Sequence, residues 1–129
     1  MKLVKVLFFG LFFAIMLNAC KKDYPYAGVG VEIGEIAINP NGDSVLVKTK
    51  GGYWQISSIH ETIDTTIVYG GFSMDQDTVS IGWFTAIKMG KDVFVKVEPN
   101  DIGKDREVVL RFMKENYWDE LIVTQAKAD

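Results

Sequence analysis

Hydrophobic positions fall into two regimes along the chain. From Val6 to Leu17 apolar residues run on with only Gly10 between them, whereas beyond Cys20 they alternate with polar ones. A run of that length is too short to span a bilayer core, which takes about 20 helical residues. Preceded by Lys2 and Lys5, it has the charge and length of the apolar segment of an export signal. Alternation marks strands that bury one face, because successive side chains on a strand point to opposite sides.

The alternating segments follow one another closely. Val29 to Ile38 alternates and then shifts phase near Gly34, which predicts a bulge or bend. Asn39-Pro40-Asn41-Gly42-Asp43 is a concentrated turn signal, with Gly42 able to take positive φ. Ser44 to Lys50 and Tyr53 to Ile59 flank Gly51-Gly52, and these first segments read as adjacent antiparallel strands. Thr62 to Tyr69 is rich in β-branched residues and reads as another strand. After a loop from Gly70 to about Asp77, Thr78 to Ile87 adds a short strand around Trp83, and Asp92 to Glu98 alternates cleanly. Glu107 to Met113 and Tyr117 to Thr124 then pair across the Lys114-Glu115-Asn116 turn. No segment after Cys20 carries a helical stripe. About seven or eight short strands at this spacing predict an all-β, antiparallel β-sandwich.

Length fits this reading. The leader takes 19 of the 129 residues and leaves 110, the size of one domain with one core. The leader ends in Leu17-Asn18-Ala19-Cys20, which resembles a lipobox, the site at which bacterial lipoproteins are cut before a cysteine that is then acylated. Cys20 is the only cysteine, so no internal disulfide is available to it, and lipidation supplies its reason. Lys21 rather than an aspartate follows it, which fits release to an outer membrane, on the periplasmic or the cell-surface side. The expected organisation is a signal peptide over 1–19, a lipidated N-terminus and tether over 20–28, and a sandwich domain over 29–129.

Charge narrows the partners. The chain carries −3, and loss of the two leader lysines takes it to −5. Nucleic acid is excluded as a partner on this balance, since affinity there rests on a basic surface that neutralises phosphates. Catalysis finds no constellation: His60 is the sole histidine, and it lacks the partners of any triad. The pairs Asp75 with Asp77 and Asp101 with Asp105 read as solvated loop acids. They fall short of a calcium loop, and one His with a lipidated Cys does not make a zinc site. The expectation is a non-enzymatic chain with no metal and no cofactor.

The C-terminal half carries a resemblance. Trp83 to Gly90, the DVFVKVEPN strand ending at Asn100, then Gly103, Arg106 and a last strand ending Ile122-Val123-Thr124-Gln125 resemble the BACON family (Bacteroidetes-associated carbohydrate-binding, often N-terminal). Ser44 to Ile59, with Trp54 after the glycine pair, matches that family's earlier strand-and-tryptophan segment, so coverage is roughly 44–126. The resemblance implies an immunoglobulin-like sandwich and association with carbohydrate or glycoprotein. Asn100, Gly103, Arg106 and Gln125 have plain roles in a fold, as turn formers and polar ties for loop carbonyls.

A glycan site needs aromatic faces for the C–H side of sugar rings, with amides and carboxylates beside them for hydroxyls. Tyr53, Trp54, Trp83, Phe84, Tyr117 and Trp118 supply the rings. In the adjacent pairs Tyr53-Trp54 and Tyr117-Trp118 at most one ring of each can enter the core. Trp54 and Trp83 are expected inside; Tyr117, Trp118 and Tyr53 are the candidate ligand-binding residues. The competing expectation covers the 117–118 rings as core or edge and makes the domain a structural spacer or a protein-interaction subunit of an envelope complex.

Overall fold

The computed structural model describes residues 28–63, 66–69 and 77–129. The signal segment, Cys20, the tether up to residue 27 and Asp75 lie outside the described residues. Those described form nine strands and no helix: β1 Glu35–Ile38, β2 Asp43–Val47, β3 Gln55–Ile63, β4 Thr66–Tyr69, β5 Thr78–Ile81, β6 Phe84–Met89, β7 Asp92–Val97, β8 Arg106–Lys114 and β9 Tyr117–Gln125. They make two sheets, of order β1-β9-β8-β3-β4 and β2-β7-β6-β5. The fold is the all-β sandwich expected.

Alternation built the core. Val93, Val95 and Val97 of β7 face Val108, Leu110 and Phe112 of β8 and Leu121 and Val123 of β9, all with little or no exposure. The two inner faces meet in one apolar layer, where the hydrophobic effect contributes about 25 cal/mol per Å² of apolar surface removed from water. Trp54 closes one end of it. Its indole is 3% exposed, meets Phe112 edge-on at 5.0 Å, and donates its N–H to the Lys91 carbonyl at 3.0 Å.

Strand number and connection depart from the pattern in several places. The segment read as one strand over 62–69 belongs to two, the end of β3 and β4, with Ile63 opposite Thr66. Trp83 does not sit in a strand. It lies with Gly82, at φ 40, in the two-residue turn between β5 and β6, and is half-buried against the core. The first three segments are not neighbours either. Val31 bridges Thr49 next to β2, then β1 crosses to the other sheet and runs parallel to β9, while β2 pairs β7 and β3 pairs β8. The phase shift at Gly34 is this change of sheet, and the turn around Gly42 is a crossover between sheets. Which strand lies beside which is set by long-range burial, which local alternation does not encode.

Apolar spacing in β3 follows from a bulge. Ile56 and Ile59 are three apart yet both buried, because the register to β8 shifts between Ile56 and Ser58. Ser57 takes the extra place, and its hydroxyl donates to the Arg111 carbonyl at 3.1 Å. One added residue restores the phase of the inner face.

Candidate functional site

The two ends of the sandwich differ in chemistry. At one end the loops are locked by buried polar side chains. Gln125, 1% exposed, donates from Nε2 to the carbonyls of Asn39 at 2.9 Å and Glu98 at 3.0 Å, and accepts the Arg106 Nε–H at 2.9 Å. Arg106 Nη2 reaches the carbonyls of Glu98 and Pro99, and its guanidinium lies 4.0 Å from the centre of the Trp83 ring. Burial draws Arg106 below the ordinary arginine value, opposed by the charges of Glu61 and Asp101. Asn100 Nδ2 donates to the carbonyls of Lys104 and Ala126, and Gly103 holds φ 71. These four residues serve the fold, as their types suggested. A concavity of about 530 Å³ lies here, lined by Arg106, Gln125, Glu107 and neighbours without an aromatic ring. The polar groups most able to grip a ligand are already engaged.

The opposite end carries the free aromatic surface. Tyr53 stands 94% exposed just before β3, while its neighbour Trp54 turns inward. Across the sheet, β8 and β9 join through the two-residue turn Glu115-Asn116, with Lys114 opposite Tyr117 and Met113 opposite Trp118. Tyr117 is 48% and Trp118 59% exposed. Strand alternation puts Tyr117 on the side of Leu121 and Trp118 on the side of Glu120 and Ile122. Both rings stand clear of the core because the hairpin overhangs its last buried layer, which departs from the competing expectation that covers the 117–118 rings as core or edge. Met113, between Gln55 on β3 and Trp118 on β9, continues one row across three strands.

Between Tyr53 and the hairpin opens a concavity of about 670 Å³ lined by Tyr53, Gln55, Asp77, Lys88, Lys114 and Glu115, with Trp54 also in its wall. A smaller hollow of about 260 Å³ shares Gly52, Tyr53 and Lys88 with it, so the Tyr53 ring is a ridge between two depressions. Lys88 is held in place: its ammonium donates to the Trp54 carbonyl at 2.7 Å and sits 5.0 Å from the centre of that indole. Glu115 holds φ 54, the only positive φ at a non-glycine among the described residues. Such strain collects at ligand sites and tight turns.

Two ammonium groups, two carboxylates and one amide leave the wall nearly neutral but rich in donors and acceptors. That chemistry suits an uncharged polyol better than an ion. Behind the wall, Asp92 fixes the strand ends. Its carboxylate accepts the Lys48 ammonium at 2.9 Å and the Thr49 N–H at 3.1 Å. Those bonds, the Lys48 one first, hold Asp92 below the ordinary aspartate value.

Of the residues singled out in the sequence, the structure brings Tyr53, Tyr117 and Trp118 to one end of the five-stranded sheet, with Tyr53 in the wall of the larger concavity. Lys88 was missed because it arrives from the other sheet, Asp77 was read only as a solvated loop acid, and Lys114 and Glu115 read only as a turn. His60 lies mid-strand opposite Val109 and Tyr69, away from this end. Asp101 and Asp105 lie at the far end, where Asp105 accepts the Lys127 N–H at 2.9 Å. Among the described residues no three His, Cys, Asp or Glu side chains gather as a metal site.

Comparison with protein-family models gives no match, and no curated protein matches the chain. A solved structure is similar: an NMR structure of a protein from Bacteroides thetaiotaomicron, with a TM-score of 0.62 and 20% identity over 78% of this chain and 81% of that one. At that identity the likeness speaks to the fold alone.

Proposed function

We propose that the chain is a lipid-anchored, non-catalytic β-sandwich module of an outer membrane that binds carbohydrate at its aromatic end. The observation that carries this reading is the exposure of Tyr53, Tyr117 and Trp118 at one end, beside a concavity of about 670 Å³ with a charge-balanced polar wall. Sugars present C–H faces to such rings and hydroxyls to such walls. The anchor rests on the apolar leader and on Cys20 after Leu17-Asn18-Ala19. Two features support the BACON-like, immunoglobulin-like assignment: the strand order of the two sheets, with β1 parallel to the closing strand β9, and the fold-serving places of Asn100, Gly103, Arg106 and Gln125.

The test is a glycan-array screen of residues 24–129, a segment that holds every buried core residue among the described residues, followed by tryptophan fluorescence titration of each hit. Saturable binding lost in Trp118→Ala supports the reading; a blank array with a folded domain overturns it. A second reading, a spacer or protein-interaction subunit of an envelope complex, draws on Ile33 and Leu46. They are 54% and 46% exposed, beside and on the edge strands β1 and β2. Capture of a defined envelope protein that Leu46→Lys abolishes would favour it.

A further inference from the structure

We propose that the saccharide bound at the aromatic end is membrane-borne, the sugar portion of a glycolipid in the same membrane that holds Cys20. The inference rests on the anchor and carbohydrate readings above and adds where the ligand comes from.

The chain enters the domain at the end that carries the concavity. Gly51 N–H donates to the Val29 carbonyl at 2.7 Å, and Lys50 N–H to the Gly30 carbonyl at 3.0 Å. Tyr53 is therefore two residues from the strand that receives the incoming chain. On the other side, Val31 N–H donates to Asp119 Oδ2 at 2.8 Å, one residue from Trp118. The chain thus comes in between the two aromatic arms. A β-carbon on Gly51 would stand 2.9 Å from the Gly28 carbonyl oxygen, so the two segments pack in direct contact.

Covalent reach then limits where the site can go. From Cys20 to Gly28 there are eight residue steps, at most roughly 30 Å of extended chain. A lipid on Cys20 holds this end within that distance of the headgroups. Tyr and Trp are the rings suited to the polar boundary of a membrane, where one face is wet and the other apolar.

A phosphatidylcholine bilayer offers an apolar boundary to rings but headgroups without a hydrogen-bond donor, which leave the carboxylates of Asp77 and Glu115 in the wall of the concavity unserved. A glycolipid offers both: hydroxyls for the wall, and a location within reach of the tether. Polysaccharide held further outside the membrane than the tether reaches does not meet this site.

The test uses the mature acylated protein reconstituted in vesicles of phosphatidylcholine alone and of phosphatidylcholine doped with lipopolysaccharide. Trp118 emission is obtained by difference against Trp118→Phe, since Trp54 is buried and Trp83 half-buried at the far end. The expected result is a blue shift and a several-fold loss of iodide quenching in the doped vesicles only, both lost in Tyr53→Ala while flotation with vesicles is unchanged. An equal shift in both vesicles overturns the inference in favour of plain bilayer docking. No shift in either, with saturable binding of a soluble glycan, overturns it and leaves the carbohydrate reading standing. No shift together with a blank array removes both. Failure to float at all removes the anchor, and the inference with it.

Discussion

Gln125 is polar and among the most deeply buried side chains, and its four hydrogen-bond partners explain why that is stable. Gln125→Leu keeps the volume but leaves the buried Arg106 Nε–H without its acceptor, while the Asn39 and Glu98 carbonyls lose one of two donors and keep Gly42 N–H and Arg106 Nη2. The expected loss is about 2–4 kcal/mol in urea unfolding, far more than an exposed Gln55→Leu. Asp92 makes the opposite kind of argument, through protonation. Its pKa is lowered in the folded state by Lys48 and Thr49, so the unfolded chain binds the proton more readily. Stability from this carboxylate is complete above the unfolded-state value and is lost as pH falls through the lower folded-state value. Asp92→Asn is expected to flatten the acid limb of a stability-against-pH curve; an unchanged limb would show that the Lys48 and Thr49 bonds contribute nothing. That a polar Arg, Asn and Gln serve loops was legible from their types and places near strand ends. Which carbonyls they serve was not, because Asn39 and Gln125 are far apart in the chain.

Connections between strands show the same division. The Asn39–Gly42 turn was legible, and Gly42 has φ 87 with its N–H donating to the Asn39 carbonyl at 2.9 Å. Its second constraint comes only from packing: a β-carbon there would meet the Val97 carbonyl oxygen at 2.6 Å. Gly42→Ala is expected to cost about 2–3 kcal/mol from strained backbone and that collision. Gly34→Ala has nothing within 4 Å of the added carbon and no positive φ, so its thermal midpoint should not fall. A matching loss at both positions would refute the distinction. The β3 bulge was hidden in plain view, since Ile56 and Ile59 break strict alternation in a way a helix fragment or a strand end also would.

The assembled domain places its binding candidates at the end nearest its own N-terminus. Trp118→Ala should weaken glycan binding about tenfold, ~1.4 kcal/mol, while moving unfolding stability by less than about 1 kcal/mol, because its ring lies outside the core. A large stability loss would return that ring to a structural role. Cys20→Ser should move the protein from the membrane fraction to the soluble one, and continued acylation or flotation would refute the anchor. Local pattern was enough for the all-β class and the β8–β9 hairpin, since each rests on neighbouring residues and the twofold repeat of a strand. It also marked Tyr53, Tyr117 and Trp118 as rings that could not all be buried. Pairing β1 parallel to β9, sending β2 and β3 to different sheets and carrying Lys88 and Asp77 to the wall beside Tyr53 were decided only on folding. Those contacts join residues distant in sequence, and the burial of both inner faces at once, not any local preference, selects them.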